Sequence, residues 1–417
     1  MKGANFLEKL LDNQPVEWKK LGEVFITRNG YTPSKSNPEY WEGGTIPWYR
    51  MEDIRENGRI LSDALQHITP KGVKGNGLFK ANSIILATSA TIGEHALITT
   101  EALANQRFTN FEVKEDFKDK LFPKFIFYYF YIIDDWCKKN IYVGNFPSVD
   151  VLQLKKLDFP IPPLSVQSRI VEILDKFTAM EAELEEQLQA ELELRKKQYA
   201  YYREQLLNFS YTPPPSEFNV VYKKLGEVAE LVRGNGLSKK DFAPEGIPAI
   251  HYGQIYTYYG NETKGTISFV TPETASKLRK VFCGNVVITN TSENLEDVGK
   301  ALLYSGESEA VAGGHATIIR CSEYLLPKYF VYYTMTYSFF DQKRKLAKGT
   351  KVIDVSATDL ARIEIPLPPL SEQAHIVEIL DKFDTLTNSI SEGLPLEIQL
   401  RKQQYEYYRE QLLDFRH

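Results

Sequence analysis

Cysteine is scarce: Cys137, Cys283 and Cys321 are the only three in 417 residues, far apart and without metal-ligand spacing. That excludes a disulfide framework and a zinc site and leaves buried thiols as the expectation. The six histidines include no pair four residues apart, so a helical metal site is not expected either. No apolar run is long enough to span a membrane, and the opening MKGANFLEKLLDNQ is amphipathic without a signal-peptide core or cleavage site. A cytoplasmic protein with no membrane contact is the expectation. A phosphate-binding loop is missing, since Gly72-Val73-Lys74-Gly75-Asn76-Gly77 runs into Leu78 and not into Lys. The carboxylates Asp134-Asp135 lie in an aromatic-rich helical stretch and read as surface charges. An excess of positive charge is lacking too, the net charge being −5. By segment, residues 1–160 hold 21 Lys+Arg against 20 Asp+Glu and residues 213–365 hold 18 against 17, while 161–212 and 366–417 hold 6 and 5 against 9 each. The acidity belongs to the last two segments, so the near-neutral parts are free to carry a local basic face toward nucleic acid.

What the chain does contain is a long stretch that occurs twice. Residues 161–209 and 367–415 align without a gap at an offset of 206, matching best at PPLSxQ, IVEILDKF and RKxQYxYYREQLL. Pro162-Pro163 and Pro368-Pro369 keep the entering chain extended, and Ser165 and Ser371 are placed as helix N-caps. Apolar residues then recur at three and four: Ile170, Leu174, Phe177, Met180, Leu184 and Leu188, followed by Leu192, Tyr199, Tyr202 and Leu206. The second copy repeats this with Ile376, Leu380, Phe383, Leu386 and Ile390. Gly393-Leu394-Pro395 predicts a break, with a further helix through Tyr405, Tyr408 and Leu412.

The segments before each helix repeat as well. EWKKLGEVF (17–25) is matched by VYKKLGEVA (221–229), each leading to a glycine turn, an Ile-Pro strand, a strand-rich stretch and a Pro-Lys helix start at 123 and 327. The chain therefore reads as α+β: a mixed domain at 1–160, a helical spacer at 161–210, a second mixed domain at 211–365 after the linker YTPPPSE, and a second spacer at 366–417. If the second helix runs back along the first, the two are antiparallel and an approximate twofold axis relates the domains, with about 40 helical residues making a ruler of roughly 60 Å. Duplex DNA presents the same groove face about every 34 Å, so two readers on a ruler suit a target in two parts. The loops differ at matched places: Thr88-Ser89-Ala90-Thr91-Ile92-Gly93 against Thr289-Asn290-Thr291-Ser292-Glu293, and Asn105-Gln106-Arg107 against Gly313-Gly314-His315.

With these helical repeats and differing loops, the chain resembles the specificity subunits of type I restriction-modification systems over nearly its whole length. The resemblance implies a non-catalytic subunit whose two target recognition domains each read one half of a split DNA sequence. It also implies docking of two modification (methyltransferase) subunits, with restriction (translocase and nuclease) subunits joining them. S-adenosylmethionine, ATP and Mg would be bound by those partners and not by this chain. No Asn-Pro-Pro-Tyr or Asn-Pro-Pro-Phe tetrad of the kind that grips a flipped base is present. A helical adaptor without DNA specificity, or an orphan specificity subunit, are the alternative readings.

Base readout calls for Arg, Lys, Asn and Gln, and phosphate contact for Lys, Arg, Ser and Thr. In the first domain the candidates are Tyr31, Lys35, Arg50, Lys71, Lys74, Ser89, Thr91, Asn105, Gln106 and Arg107. In the second they are Arg233, Asn235, Lys239, Lys240, His251, Asn290, Asn294, His315, Lys348 and Lys351. Each taken singly has an ordinary solvated or locally bonded side chain as its alternative. The clusters Tyr199, Tyr201, Tyr202 and Tyr405, Tyr407, Tyr408 cannot all face a two-helix seam, and part of each is expected to dock partner subunits, since tyrosine joins apolar area to a polar tip; Tyr199, Tyr202, Tyr405 and Tyr408 are the candidates, and packing on a neighbouring domain is the alternative.

Overall fold

The computed structural model describes residues 6–75, 77–142, 147–209, 219–389 and 392–416. The linker at 211–217 and Ile390 lie outside the described residues. Two compact units divide the chain, the first formed by 1–185 with 400–417 and the second by 186–399. Five helices carry the argument: α1 (Pro123–Lys139), α2 (Leu164–Leu207), α3 (Pro327–Tyr333), α4 (Leu370–Asn388) and α5 (Gly393–Leu413).

In the first unit a five-stranded sheet runs in the order Phe25–Asn29, Phe108–Val113, Ser83–Ala87, His95–Ile98, Ile60–Leu61, antiparallel except for the last pair. Its central strand, SIILA, is buried at every residue because it has a core on each side. Ile84 and Leu86 face one with Phe25, Phe111 and Phe130, while Ile85 and Ala87 face another with Trp48, Ile98 and Phe108. The second core is closed by a smaller sheet, His67–Ile68, Ile46–Tyr49, Leu103–Ala104. α1 covers the first, and Phe25 meets Phe111, Phe130 and Phe159 edge to face at 6.0, 5.8 and 5.2 Å, pairs worth about 0.5–1.5 kcal/mol each beyond their burial. Strand Glu17–Lys20 pairs with Asp158–Ile161 and clasps the two ends of the domain together.

The second unit has the same order: Ala229–Arg233, Ala316–Cys321, Val286–Thr289, Ala301–Tyr304, Glu262–Thr263. Val286 and Ile288 face one core and Val287 the other, and the clasp recurs as Val221–Lys224 with Glu364–Leu367. Its second sheet is larger, with strands Phe242–Ala243 and Arg279–Val281 at its two edges.

The repeated helix starts are held by glutamine, not by serine caps. α2 and α4 already include Ser165 and Ser371, and Pro369, the residue before α4, makes no side-chain cap. Fully buried Gln167 donates from Nε2 to Lys120 O and Pro162 O, both 2.7 Å, and accepts from Phe122 N at 2.9 Å. Gln373 does the same for Tyr324 O, Pro368 O and Leu326 N, each at 2.9 Å. The aspartate of LDKF supplies a second tie: Asp175 accepts from Tyr128 Oη and Lys124 Nζ, both 2.7 Å, and Asp381 from Tyr332 Oη with Lys328 Nζ at 3.6 Å.

α2 is one continuous helix of 44 residues, about 66 Å at 1.5 Å per residue. In the first unit its front half runs antiparallel to the tail of α5, with Phe177 against Tyr408, Thr178 Oγ1 2.7 Å from Tyr405 Oη, and Glu185 2.6 Å from Lys402. Met180, placed by periodicity in the apolar stripe, is instead exposed. In the second unit the rear half of α2 meets α4, with Tyr199 and Tyr202 stacked on Phe383 at 6.2 and 5.4 Å. The predicted break is present between Asn388 and Gly393. Gly393 has φ +75, and a Cβ there would lie 2.6 Å from Thr385 O, so only glycine lets α5 start so close to the end of α4.

Two expectations are corrected. Asp134 is buried, its Oδ2 2.7 Å from His95 Nδ1 and 3.0 Å from Arg59 Nη1, because α1 turns it toward the sheet. Cys283 is exposed in the turn after Arg279–Val281, whereas Cys137 is buried and Cys321 half-buried; burial pushes both of those thiols up to about 12.

Candidate nucleic-acid interface

In the first unit the candidate loops leave one end of the sheet together. Asn29 ends its strand opposite Thr109, and Ala87 ends its strand opposite Phe108, so loops 30–35, 88–92 and 105–107 begin side by side. Trp48 Nε1 donates to Tyr31 O at 2.9 Å and Asn105 N to Tyr49 O at 3.0 Å, which adds the end of the small sheet. Gly30 is required there, since a Cβ would stand 2.2 Å from Asn105 O and 2.3 Å from Ala104 O. Tyr31 Oη donates to Gly72 O at 3.3 Å and accepts from Lys74 N at 2.6 Å, with the Lys74 ammonium 5.0 Å from the ring centre. Loop 71–75 is thereby tied to the same end.

Of the first-domain candidates, Lys35, Lys71, Lys74, Gln106 and Arg107 are exposed, and Ser89 and Thr91 are half-buried. Lys71 is engaged with Glu39 at 3.2 Å. Arg50 opens the helix Met51–Asn57, its N–H donating to Asp53 Oδ2 at 2.6 Å and its side chain resting 3.9 Å from Glu52. Asn105 holds the turn, because its Oδ1 accepts from Arg107 N at 3.0 Å. Gln106 Oε1 accepts from Thr32 Oγ1 at 2.6 Å.

The second unit assembles the corresponding end. Arg233 ends its strand, bonds Gly314 O through Nε at 3.2 Å and lies 3.5 Å from Asp354. Gly234 repeats the close approach of Gly30, since a Cβ would stand 2.1 Å from Gly313 O. Thr291–Ser292 pairs with Ile353–Asp354, drawing in loop 348–352, where Lys351 is exposed and Lys348 pairs with Asp359 at 2.9 Å. Lys239 and Lys240 are exposed; Asn235 donates to Lys277 O at 2.5 Å; Asn294 is exposed but engaged with Asp297 at 2.8 Å. His315 is exposed, its Nδ1 2.9 Å from Thr291 Oγ1 and its ring 4.9 Å from Tyr252.

Two second-domain candidates are not on the surface. Asn290 is fully buried, donating to Val355 O at 2.7 Å and accepting from Thr317 Oγ1 at 2.9 Å, so its amide pins loops and is not available to a base. His251 is buried and caps the helix Tyr252–Thr257, Nδ1 accepting from Gly253 N at 3.2 Å. Burial, then Lys239 and His315, hold its pKa below the usual histidine value.

Main-chain bonds set the correspondence between the units. Val149 N donates to Thr88 O and Val355 N to Asn290 O; Thr88 N donates to Arg107 O and Asn290 N to His315 O. Thr88 therefore matches Asn290, one residue beyond the pairing with Thr289 expected from sequence, while Arg107 matches His315 as expected.

The family model for the type I restriction modification DNA specificity domain matches twice, over residues 13–194 and 216–400. The chain belongs to that DNA-specificity family. Among curated relatives, the type I restriction enzyme EcoprrI specificity subunit of Escherichia coli is 40% identical over 403 residues, covering 94% of this chain and 93% of the relative. A putative type I restriction enzyme specificity subunit of Haemophilus influenzae is 31% identical and covers 98% of both. Of solved structures, a chain described under complex assembly and conformational transition of the type I R-M system aligns with TM-score 0.68 at 16% identity, covering 96% of this chain and 98% of that one. The HsdS subunit of Thermoanaerobacter tengcongensis aligns with TM-score 0.58 at 17% identity, covering 96% and 97%; both likenesses establish the fold. As a type I specificity subunit the protein has the non-catalytic role of DNA recognition within a restriction-modification complex. Among the described residues no cluster of three or more His, Cys, Asp or Glu could hold a metal, and no helix is long and apolar enough to cross a membrane.

The tyrosines expected from sequence to dock partners divide between the helix seams and the surface. Tyr199 is buried with its hydroxyl toward Asp384, and half-buried Tyr405 bonds Thr178, so both serve the helix seams. Tyr202 and Tyr408 are exposed beside Phe383 and Phe177. The more exposed members of the two clusters are Tyr201 and Tyr407, 60% and 57%, with exposed Leu194 and Leu400 one heptad before them. Sequence reasoning missed these two leucines, whose signal was a position unused by the apolar stripe. The two anchoring glutamines were missed as well, although both stand in the repeated PPLSxQ.

Proposed function

We propose that each unit reads one half of a split double-stranded DNA target through the loop cluster at its sheet end. The observation that carries this reading is one scaffold with two sets of side chains: the same strand order in the main five-stranded sheet and the same anchoring bonds present Asn105-Gln106-Arg107 in one unit and Gly313-Gly314-His315 in the other. Phosphate contact falls to Lys35, Lys74, Lys239, Lys240 and Lys351, which are exposed and make no ion pair among the described residues. Each phosphate neutralised lowers the slope of log affinity against log salt by about 0.9.

The patches Leu194/Tyr201 in one unit and Leu400/Tyr407 in the other stand 206 residues apart on the repeated helices. One patch per unit supports docking of two copies of one partner, the modification subunit, with restriction subunits joining that assembly. S-adenosylmethionine, ATP and magnesium are bound by those partners, and the complex works in the cytoplasm where the DNA is. The test is a genome-wide map of methylated adenines in cells with and without this chain, co-expressed with its modification subunit. A split motif present only with the chain supports the reading; the same methylation in both contradicts it.

A further inference from the structure

We infer that Arg107 is a base-reading residue that takes a guanine in the half-target of the first unit, and that His315 is the corresponding reader in the second. This deepens the DNA-reading assignment and rests on it. The two residues occupy one structural position, each accepting through its carbonyl from the residue that starts the neighbouring loop, Thr88 N at 2.9 Å and Asn290 N at 2.8 Å. A glycine pressed against the turn from below, Gly30 or Gly234, fixes its height in both units.

Within each turn the third residue carries the longest side chain not already committed. Asn105 and Gln106 have their amide oxygens engaged by Arg107 N and Thr32 Oγ1, so neither offers a free oxygen beside its NH2 for a paired contact with a base edge, whereas Gly313 and Gly314 have no side chains. Arg107 is exposed and makes no ion pair or side-chain hydrogen bond among the described residues. His315 is aimed, with Nδ1 on Thr291 Oγ1 and its ring on Tyr252, leaving Nε2 as the outward nitrogen. Residues that merely hold phosphates can stay the same in both halves, but residues that distinguish bases must differ, and this position differs while its backbone does not. An arginine has only donors, in a fork that fits the O6 and N7 acceptors of guanine in the major groove.

The test uses the full chain co-expressed with its modification subunit and maps methylated adenines for Arg107→Ala, Arg107→Lys and His315→Ala. Arg107→Ala is expected to relax a single guanine position in one half of the motif, reducing discrimination there by roughly 5- to 150-fold, with the other half unchanged. That intact half reports that the complex has folded. Arg107→Lys, which keeps donors for guanine O6 and N7 without the planar fork, is expected to relax the same position less than Ala does, and His315→Ala a position in the other half only. An unchanged motif with Arg107→Ala, an effect on a base other than guanine, or a loss with Lys greater than with Ala would overturn the assignment. So would a uniform fall in methylation, which marks a phosphate contact; if methylation vanishes, competition between duplexes differing at that guanine, using the purified complex, decides in the same way. Should the unaltered chain direct no split motif, the DNA-reading assignment itself fails, an outcome separate from these.

Discussion

Replacing Gln373 by Leu keeps most of the side-chain volume and removes three hydrogen bonds together. Nε2 donates to Pro368 O within the core and to Tyr324 O nearer the surface, and Oε1 accepts from Leu326 N, all at 2.9 Å. A buried backbone group left without a partner costs about 1–3 kcal/mol. One of these bonds is buried and two are partly so, which gives a sum of roughly 3–5 kcal/mol against a typical domain stability of about 5–15 kcal/mol. The loss falls on the junction of α3 and α4 in the second unit. Hydrogen exchange followed by mass spectrometry reads it locally: the amides of α3 should exchange at least about 100-fold faster, since each 1.4 kcal/mol is tenfold. The amides of α1, held by Gln167 in the first unit, should not change. Acceleration of α3 below about tenfold, or equal acceleration in α1, would refute the anchoring role; Gln167→Leu should produce the mirror result.

Other outcomes follow from the same geometry. His251 has its pKa held below the ordinary 6.5, chiefly by burial, so the unfolded chain takes up a proton that the folded unit refuses. The stability of the second unit should therefore be complete above about pH 6.5 and fall as the pH drops toward the folded value; His251→Asn, which keeps a cap, should flatten that profile, and an unchanged profile would contradict the role. Asn290→Ala should cost about 2–4 kcal/mol in denaturant unfolding by orphaning Val355 O and Thr317 Oγ1, while an exposed reader would cost almost nothing. Gly30→Ala puts a methyl within 2.2 Å of Asn105 O, so methylome mapping should show the first half-target degraded and the second kept; loss of both halves would count against separate units.

That one mixed module is repeated was legible because KKLGEV stands before the first sheet strand of each unit, and the helix break because glycine and proline interrupt the second copy at 393–395, whereas the strand order and the clasp came only with the structure. The destinations of polar side chains were not legible either. Asn290 and His251 carry the chemistry of readers, but Asn290 follows a strand and His251 precedes a helix, where free backbone groups need partners, and local bonds took them first. The one-residue shift that sets Thr88 against Asn290 is hidden in sequence because the following loops differ in length, and only the bonds from Val149 and Val355 reveal it. Asp134 reads as a surface charge until α1 is laid on the sheet and brings it to His95. Tyrosines of the repeated helices divide by azimuth, Tyr199 inward and Tyr201 outward, two positions apart in a motif where composition alone favours both equally.

The most direct measurement exchanges residues 1–160 for the corresponding segment of another specificity subunit and maps methylation in cells that supply the modification subunit. One half of the split motif should change to that of the donor while the other half stays as it was. A change in both halves, or in neither, would contradict the claim that each unit reads its own half of the target.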